Sequence, residues 1–413
     1  MIDKQSKARN LFAPRPRHAN LGVRHLRRVM GSPFMLKTAA ILLALVAASH
    51  GARAADAAAL APARQIAVAG EFVNDKGKIS RDLSGIACQP EAAGRRICVV
   101  IDDQSRFAQI AFLEQGTLRA GTRIKLIAEE SRATIVGSSP TTAQCPKEDD
   151  KFKDLDGEGV AYAAPYFYVV GSHGCSRRSG KFTPSAFVTV RFRLNTSGDL
   201  VDGEGKPGLD ASAPNTSVEA TYRLSDALAA ADSVGSSFGR VLKGHGGKSD
   251  GLNVEGLAVI DGMLYAGARA PSVDGDAFII GAKIADLFAP GADRIPLQIF
   301  DIPLGLGKNT GIRDLAALPG GKLLILAGPT QDDPATPYSL FIASWLLTGR
   351  AAATPLARLE DVHTTDKDGQ PIRAKAEAVL PIAASDGELR AIVLFDGPAN
   401  GAPAEYRAPI PQD

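Results

Sequence analysis

The sequence predicts an all-β protein, a β-propeller of five four-stranded blades. Three observations favour this fold class: one degenerate unit occurs five times, each copy reads as a β-hairpin, and further β-rich segments follow the hairpins. The longest interval between copies, from Glu158 to Glu255, leaves room for a sixth blade, which is the main alternative. An all-β sandwich would also contain such hairpins and stays open on sequence alone.

The repeated unit begins with a polar residue and a short run of small apolar residues, followed by a turn and a β-rich run. Asp261-Gly262 is a clear turn, because glycine adopts the positive φ that tight hairpins require. Runs that are apolar on both faces are typical of strands buried between stacked sheets. The five copies are 83–88 with 97–103, 157–162 with 167–173, 254–259 with 264–269, 313–318 with 323–328, and 376–380 with 389–396.

Outer strands are predicted after each hairpin, and the last blade is one strand short. Residues 64–73 near the N-terminus supply that strand and close the propeller. A surface helix at 224–232 and a glycine-rich loop at 244–251 occupy the longest interval. The predicted outer strands are 107–113, 123–128, 186–194, 217–224, 277–284, 296–302, 338–346, 356–362 and 405–410.

Residues 1–54 form an N-terminal extension with the pattern of a signal peptide. They hold ten Lys and Arg residues but one acid, and the apolar run at 38–49 is followed by Ala52-Arg53-Ala54. That run is shorter than the ~20 residues of a membrane span, although a membrane anchor stays the alternative. We therefore expect cleavage near Ala54, a periplasmic or secreted protein, and a single propeller domain over residues 55–413 with no stable membrane span. Start codons at Met30 or Met35 would give a leader of ordinary length.

The body of the chain is acidic. Beyond residue 54 there are 37 basic and 44 acidic residues, a balance that argues against a broad nucleic-acid-binding surface. The four cysteines all lie in this part and contain no C-x-x-C pair, so disulfides are favoured over a zinc site. Three pairings are possible, and we favour Cys88–Cys98 across a short hairpin and Cys145–Cys175 around the next one.

Polar residues are predicted to converge at one mouth of the central channel. In an antiparallel hairpin the start of the first strand and the end of the second lie at the same edge of the sheet, and the first strand of each blade lines the channel. The first strands begin at Ser84, Glu158, Glu255, Asp314 and Glu377. Groups expected nearby are Asp102, Asp103, Ser172, His173, Arg269, Arg313 and Asp396.

Carboxylates gathered in this way need compensation, because mutual repulsion raises their pKa values. Ca²⁺ or Mg²⁺ would take the oxygens of Glu158, Glu255, Asp314 and Glu377 as ligands. Alternatively, Arg269 and Arg313 would neutralise the acids by direct pairing. A purely structural role is also open, in which each acid accepts hydrogen bonds from backbone N–H groups of the next blade.

The motifs resemble an uncharacterised bacterial family of exported proteins that are predicted to be propellers. The resemblance rests on Asp-Gly-Glu-Gly-Val-Ala-Tyr at 156–162, Leu-Asn-Val-Glu-Gly-Leu-Ala at 252–258, Ile-Arg-Asp-Leu at 312–315 and Leu-Ala-Gly-Pro at 326–329, and it spans roughly residues 80–400. It implies no activity. More loosely, the Glu-Gly-apolar openings are similar to those of esterase-like phytases and gluconolactonase-type propellers, and the latter similarity implies Glu158 or Glu255 as a metal ligand.

Two functions follow from these observations. The first is a binding module, expected to be monomeric, that presents the channel mouth to a small anionic ligand or an envelope protein, with Asp102, Asp103, Ser172 and Asp396 in contact. The second is a metal-dependent hydrolase of a phosphate ester or lactone. In that hydrolase His173 would move protons, and Arg269 or Arg313 would hold an anionic group.

Overall fold

The computed structural model describes residues 59–140, 145–149, 151–202, 204–206, 217–242, 251–331, 333–345, 351–366, 369–385 and 387–411. The predicted signal peptide at residues 1–54 lies outside these described residues, as does nearly all of the glycine-rich loop at 244–251.

The described strands form a five-bladed β-propeller with four or five strands in each blade, which confirms the predicted fold class. The first strand of each blade packs against the first strands of its two neighbours, so the five inner strands close a ring around the channel. The interval in which a sixth blade was the alternative contains instead, in its described part, the outer strands of blade two and a helix.

Three short strands precede blade one, and blade two is the most irregular sheet. The N-terminal strands are β1 (Ala59–Leu60), β2 (Arg64–Gln65) and β3 (Ala67–Ala69). Blade one contains β4 (Leu83–Cys88), β5 (Arg95–Asp102), β6 (Phe107–Glu114) and β7 (Thr117–Lys125). Then follow β8 (Lys147–Glu148), β9 (Gly157–Ala163), β10 (Tyr166–Gly171), β11 (Lys181–Phe182), β12 (Thr189–Leu194), β13 (Leu200–Val201) and β14 (Glu219–Thr221). Strands β8 and β11 pair with each other. Blade two is formed by β9, β10, β12, β13 and β14.

The second half of the chain is more regular. After helix α1 (Arg223–Ala230), blade three contains β15 (Asn253–Ile260), β16 (Met263–Ala270), β17 (Asp276–Lys283), the short helix α2 (Ile284–Leu287) and β18 (Ile299–Gly305). Blade four contains β19 (Thr310–Leu318), β20 (Lys322–Pro329), β21 (Ser339–Trp345) and β22 (Ala351–Leu359). A hairpin of β23 (His363–Thr365) and β24 (Pro371–Arg373) leads to blade five, which contains β25 (Lys375–Ser385), β26 (Glu388–Asp396) and β27 (Ala404–Pro409).

The N-terminal segment closes the ring, as predicted. Strand β2 pairs with β27 and supplies the missing outer strand of blade five. The same segment also adds β1 to the outer edge of blade four and β3 to that of blade one, both in parallel. Residues 64–73 therefore do not form one strand, because β2 and β3 belong to different blades.

The core lies between the blades, which explains why the inner runs are apolar on both faces. Along β5, Val99 packs in a cluster with Val160 of blade two, whereas the next residue, Val100, packs in a cluster with Ile392 of blade five. Successive side chains of a strand point to opposite faces, so a strand between two neighbouring blades is buried on both sides.

Both favoured disulfides are present. Cys88 and Cys98 face each other across the first hairpin, with Cα atoms 3.9 Å apart, and Cys145 is joined to Cys175 with Cα atoms 5.7 Å apart. Among the helices in the described ranges, none has the length and apolar character needed to cross a membrane.

Candidate functional site

A β-bulge occurs at the same place in all five inner strands. The ladder between the first and second strand of each blade skips one residue there, and a bulge of this kind turns the extra side chain in a new direction. The residues skipped are Ser84, Glu158, Glu255, Arg313 and Glu377. Four of these five are charged, and all are buried.

The fourth position of this ring was predicted to be Asp314, and the register corrects it to Arg313. The prediction aligned Asp314 with the glutamates of the other blades, whereas the bulged residue of β19 lies one position earlier in the chain. Asp314 occupies the place that follows the bulge, where the neighbouring blade approaches closely. At the same place in blade two, a Cβ on Gly159 would lie 2.8 Å from the carbonyl oxygen of Glu255 in blade three.

Asp314 connects blade four to blade five. Its carboxylate accepts hydrogen bonds from the backbone N–H groups of Val379 in blade five and of Leu315, both at 2.7 Å. Burial raises the pKa of Asp314 well above its usual range, and these N–H donors oppose that effect. For this residue the structural role considered from sequence is the one that its contacts support.

A linear chain of alternating charges connects blades three, four and five. Arg313 donates to Glu377, and its Nε lies 3.0 Å from Oε2 of Glu255. Arg269 donates through Nη1 to Oε1 of Glu255 at 2.8 Å and through Nε to the carbonyl oxygen of Thr330 at 3.1 Å. The order Glu377–Arg313–Glu255–Arg269 contains two acids and two bases, so the chain is neutral overall. Arginine pairing is thus the compensation that the contacts show for Glu255 and Glu377.

The two paired glutamates differ in their pKa. Burial alone would raise the pKa of Glu255, but Arg269 and Arg313 together hold it below its usual range. Burial raises the pKa of Glu377 to about 7, although Arg313, which Glu377 shares with Glu255, and Lys375 both act to lower it.

The other side of the channel mouth, formed by blades one and two, is acidic. Glu158 is 9% exposed, and its carboxyl has no hydrogen-bond or ion-pair partner among the described residues. Burial raises its pKa well above the usual range, and Glu255, Asp156 and Asp103 raise it further. The pKa of Asp103 is also raised well above its usual range, first by burial and then by Asp156, and its buried Oδ1 has no hydrogen-bond partner. Oδ1 of Asp103 is thus a buried oxygen without a partner, whereas the carboxyl of Glu158 keeps some contact with solvent.

The remaining predicted ligand-binding groups are satisfied within the protein. Asp102 accepts from Ser80 Oγ at 2.5 Å and from the N–H of Gln104 at 2.9 Å, and burial raises its pKa to about 6. Ser172 donates to Asp156, and Lys375 donates to Asp396 at 2.6 Å. The carboxylates of Asp102 and Asp396 thus already have partners within the described protein, unlike that of Glu158.

His173 is fully buried and does not share this acidic surface. Its Nδ1 lies 2.9 Å from Ser225 Oγ, its Nε2 lies 3.4 Å from Thr189 Oγ1, and its ring contacts Phe187 edge-on. Burial lowers its pKa to about 3, so the ring is neutral at physiological pH. A general base needs a pKa near the working pH, and this placement does not meet that requirement.

Arg177 is a residue that the sequence did not single out. It lies on the loop fixed by the Cys145–Cys175 disulfide, with its side chain exposed. Burial of its guanidinium alone would lower its pKa, but Glu255 and Glu158 raise it. Arg177 is therefore a cation that interacts electrostatically with the acids of the mouth. In the sequence, only the predicted disulfide pointed to the loop that carries Arg177, because this loop lies outside the repeats.

Three of the four predicted metal ligands have partners within the protein. The described part of the chain contains no group of three or more His, Cys, Asp or Glu side chains arranged to hold a metal ion. Of the four predicted ligands, Glu255 and Glu377 are paired with arginines and Asp314 with backbone N–H groups, which leaves Glu158. Ca²⁺ takes six to eight oxygen ligands, so an ion at Glu158 would need further oxygens from the backbone, other side chains or water.

Fold and channel together define the class: a five-bladed β-propeller with a buried charged network at one end of its channel. The chain belongs to a family described as protein of unknown function (DUF3616), whose model matches residues 127–195 and 210–407. The match confirms the resemblance seen in the sequence, and blade one lies outside it.

Solved structures resemble the chain in fold alone. A mannose phosphorylase from Leishmania mexicana is 13% identical, with 86% of this chain and 88% of that chain covered and a TM-score of 0.37. An α-L-arabinanase from Penicillium chrysogenum is 11% identical, with 84% and 98% covered and a TM-score of 0.35. No curated protein sequence matches significantly.

Proposed function

We propose that this protein is an exported binding module whose ligand is a small, neutral, polyhydroxylated molecule, held at the acidic side of the channel mouth. The observation that carries the proposal is a pair of neighbouring carboxyls: Oδ1 of Asp103 is buried without a hydrogen-bond partner, and Glu158 has no side-chain partner among the described residues. A buried polar group without a partner costs stability, so it calls for an explanation, and a ligand that completes its hydrogen bonds is one.

The protonation of the mouth favours a neutral ligand. Burial and the neighbouring acids raise the pKa values of Glu158 and Asp103 well above the usual range, which favours the protonated form of these carboxyls. A protonated carboxyl both donates and accepts hydrogen bonds, which complements hydroxyl groups. A cation would first have to displace those protons.

An anionic ligand, expected from the sequence, has less support. Arg269 and Arg313, which were to hold it, are buried and already paired with Glu255 and Glu377. Arg177 remains as a donor at the mouth. No contact favours the alternative metal-dependent hydrolase, and none indicates an envelope protein as partner.

Export is proposed on two grounds. Residues 1–54 have the signal-peptide pattern, and two disulfides are typical of an oxidising compartment.

The test compares two variants of Glu158 against a panel of aldoses and inositols, with binding measured by calorimetry. Glu158→Gln preserves the shape and hydrogen bonds of the neutral acid, so a bound polyol should keep its affinity within a few-fold. Glu158→Leu removes those hydrogen bonds and should weaken binding about tenfold or more. Equal losses in both variants would show that a charged carboxylate is needed, and an absence of binding by the whole panel would contradict the proposed ligand class.

A further inference from the structure

Three arginines converge on one glutamate in the outer part of blade five. Glu405 of β27 is 1% exposed, and its Oε1 lies 2.8 Å from Nε of Arg390 in β26 and 3.5 Å from Nε of Arg407. Its Oε2 lies 2.7 Å from Nε of Arg64 in β2. Three positive charges thus share one negative charge, which leaves an excess of two positive charges among the directly paired groups.

The strand register explains this convergence. Arg390 lies directly opposite Arg407 in the ladder between β26 and β27. Arg64 lies opposite Glu405 in the ladder between β2 and β27. Residues two apart on a strand share a face, so these side chains lie on the face of blade five that carries Ile392 and packs against blade one. Like charges directly opposite each other destabilise an antiparallel pair, and one shared carboxylate compensates only one of them.

The three guanidinium groups are accessible and already positioned. The side chains of Arg64, Arg390 and Arg407 are 50%, 34% and 51% exposed, and each meets the glutamate through Nε. Among the described residues, no oxygen accepts a hydrogen bond from their Nη atoms. These donors are therefore available to a ligand, and the buried carboxylate holds them together before a ligand binds.

This cluster is distant from the channel mouth. Strand β26 ends at Asp396, whose charge acts on Asp103 of the mouth, and Arg390 lies six residues earlier, which corresponds to about 20 Å along a strand. Near the cluster, the hydrogen bond from Glu405 and the charge of Glu388 raise the pKa of Arg390. Glu388 is exposed at the start of β26, so it is the acid that would compete with an added anion.

We propose that this cluster of Arg64, Arg390, Arg407 and Glu405 binds a phosphate group, carried by inorganic phosphate or by a soluble phosphate monoester. The paired N–H donors of a guanidinium group match the oxygens of phosphate. Two uncompensated positive charges match the dianion that a phosphate monoester forms at neutral pH, whereas a carboxylate ligand would balance only one. The body of the chain is acidic overall, so the excess of positive charge belongs to this cluster.

The test titrates the full chain by calorimetry with inorganic phosphate and, separately, with glycerol 3-phosphate, at pH 7.5 and low ionic strength. At least one of the two should bind, and the tighter one identifies the source of the phosphate group. Arg390→Met and Arg407→Met should each weaken the tighter ligand about tenfold or more, because each removes charged donors.

Two further variants serve as controls. Arg294→Met also removes one positive charge, from an exposed ion pair with Asp226, in the segment that leads into β18. That segment belongs to blade three, which borders neither blade five nor blade one, so phosphate binding should be unchanged. Glu388→Gln removes the competing acid and should tighten binding a few-fold.

Three results would overturn the proposal: neither compound binds, both arginine variants of the cluster bind as tightly as the wild-type protein, or Arg294→Met weakens binding as much as they do. The last result would show that phosphate responds to net charge and not to this cluster. If Arg390→Met does not fold, Arg407→Met carries the test, because Nε of Arg407 lies 3.5 Å from Glu405 and half of its side chain is exposed.

Discussion

Replacing Arg313 by methionine removes the centre of the buried charge chain. Arg313 is fully buried and pairs with both Glu255 and Glu377, so the substitution leaves Glu377 without a directly paired cation and Glu255 with Arg269 as its direct partner. Breaking a buried ion pair by removing one partner costs about 3–5 kcal/mol. We expect Arg313→Met to lower the free energy of unfolding by that amount at pH 8, as measured by urea denaturation.

The cost should depend on pH in a defined direction. Without Arg313, the pKa values of both glutamates rise, so the folded variant binds protons more tightly than the unfolded chain does. Its deficit relative to the wild-type protein should therefore shrink as the pH falls from 8 towards 4.5, the range in which these carboxyls take up protons. Adding Glu377→Gln to Arg313→Met should recover about 1–3 kcal/mol, because one buried charge is removed.

The control is the same substitution at an accessible ion pair. Arg390 pairs with Glu405 at 2.8 Å but is 34% exposed, and Glu405 keeps Arg64 at 2.7 Å. Arg390→Met should cost less than about 1 kcal/mol. A loss below 1 kcal/mol in Arg313→Met, or one that does not vary with pH, would refute the description of the network as a stabilising chain.

Three further perturbations test other parts of the structure. Asp102 has a pKa raised to about 6, so wild-type stability falls as pH rises from about 4 through 6, and Asp102→Asn should lack that fall in melting scans. Removing Cys145–Cys175 by double serine substitution should lower the free energy of unfolding by roughly 1 kcal/mol more than removing Cys88–Cys98, because the two disulfides close loops of 30 and 10 residues. Equal losses of unfolding free energy in urea denaturation would contradict this. A Cβ on Gly311 would lie 1.8 Å from a backbone oxygen of blade three, so Gly311→Ala should lower the melting temperature sharply, whereas Gly305→Ala, which meets one side-chain atom at 3.7 Å, should not.

The sequence was sufficient for the architecture because the blades repeat. The hairpins and the closure by β2 follow from a pattern that recurs along the chain, whereas both disulfides were favoured because their cysteines lie at or around a predicted hairpin. The boundaries of β3 and β14 were missed, since short edge strands have no apolar alternation to mark them.

The site was predicted less well, for reasons of backbone geometry. The position of the bulge decides whether Arg313 or Asp314 joins the ring, and one residue of register is not visible in a degenerate repeat. His173 has a φ of +48°, an uncommon conformation for a residue other than glycine that no repeat pattern indicates, and its ring is buried beside Ser225. Arg177 lies in a segment that occurs once, so repetition gave no information about it.

The protonation state of Glu158 tests the central claim most directly. Carbon-13 labelling of glutamate carboxyls, with the Glu158 signal assigned by its loss in Glu158→Gln, would follow this group through a pH titration by NMR. The account predicts a carboxyl that keeps its proton well above pH 4.5, because it is buried and surrounded by acids. Ionisation near pH 4.5, the ordinary value, would show that Glu158 is solvated or paired, and the proposed binding role would then lose its physical basis.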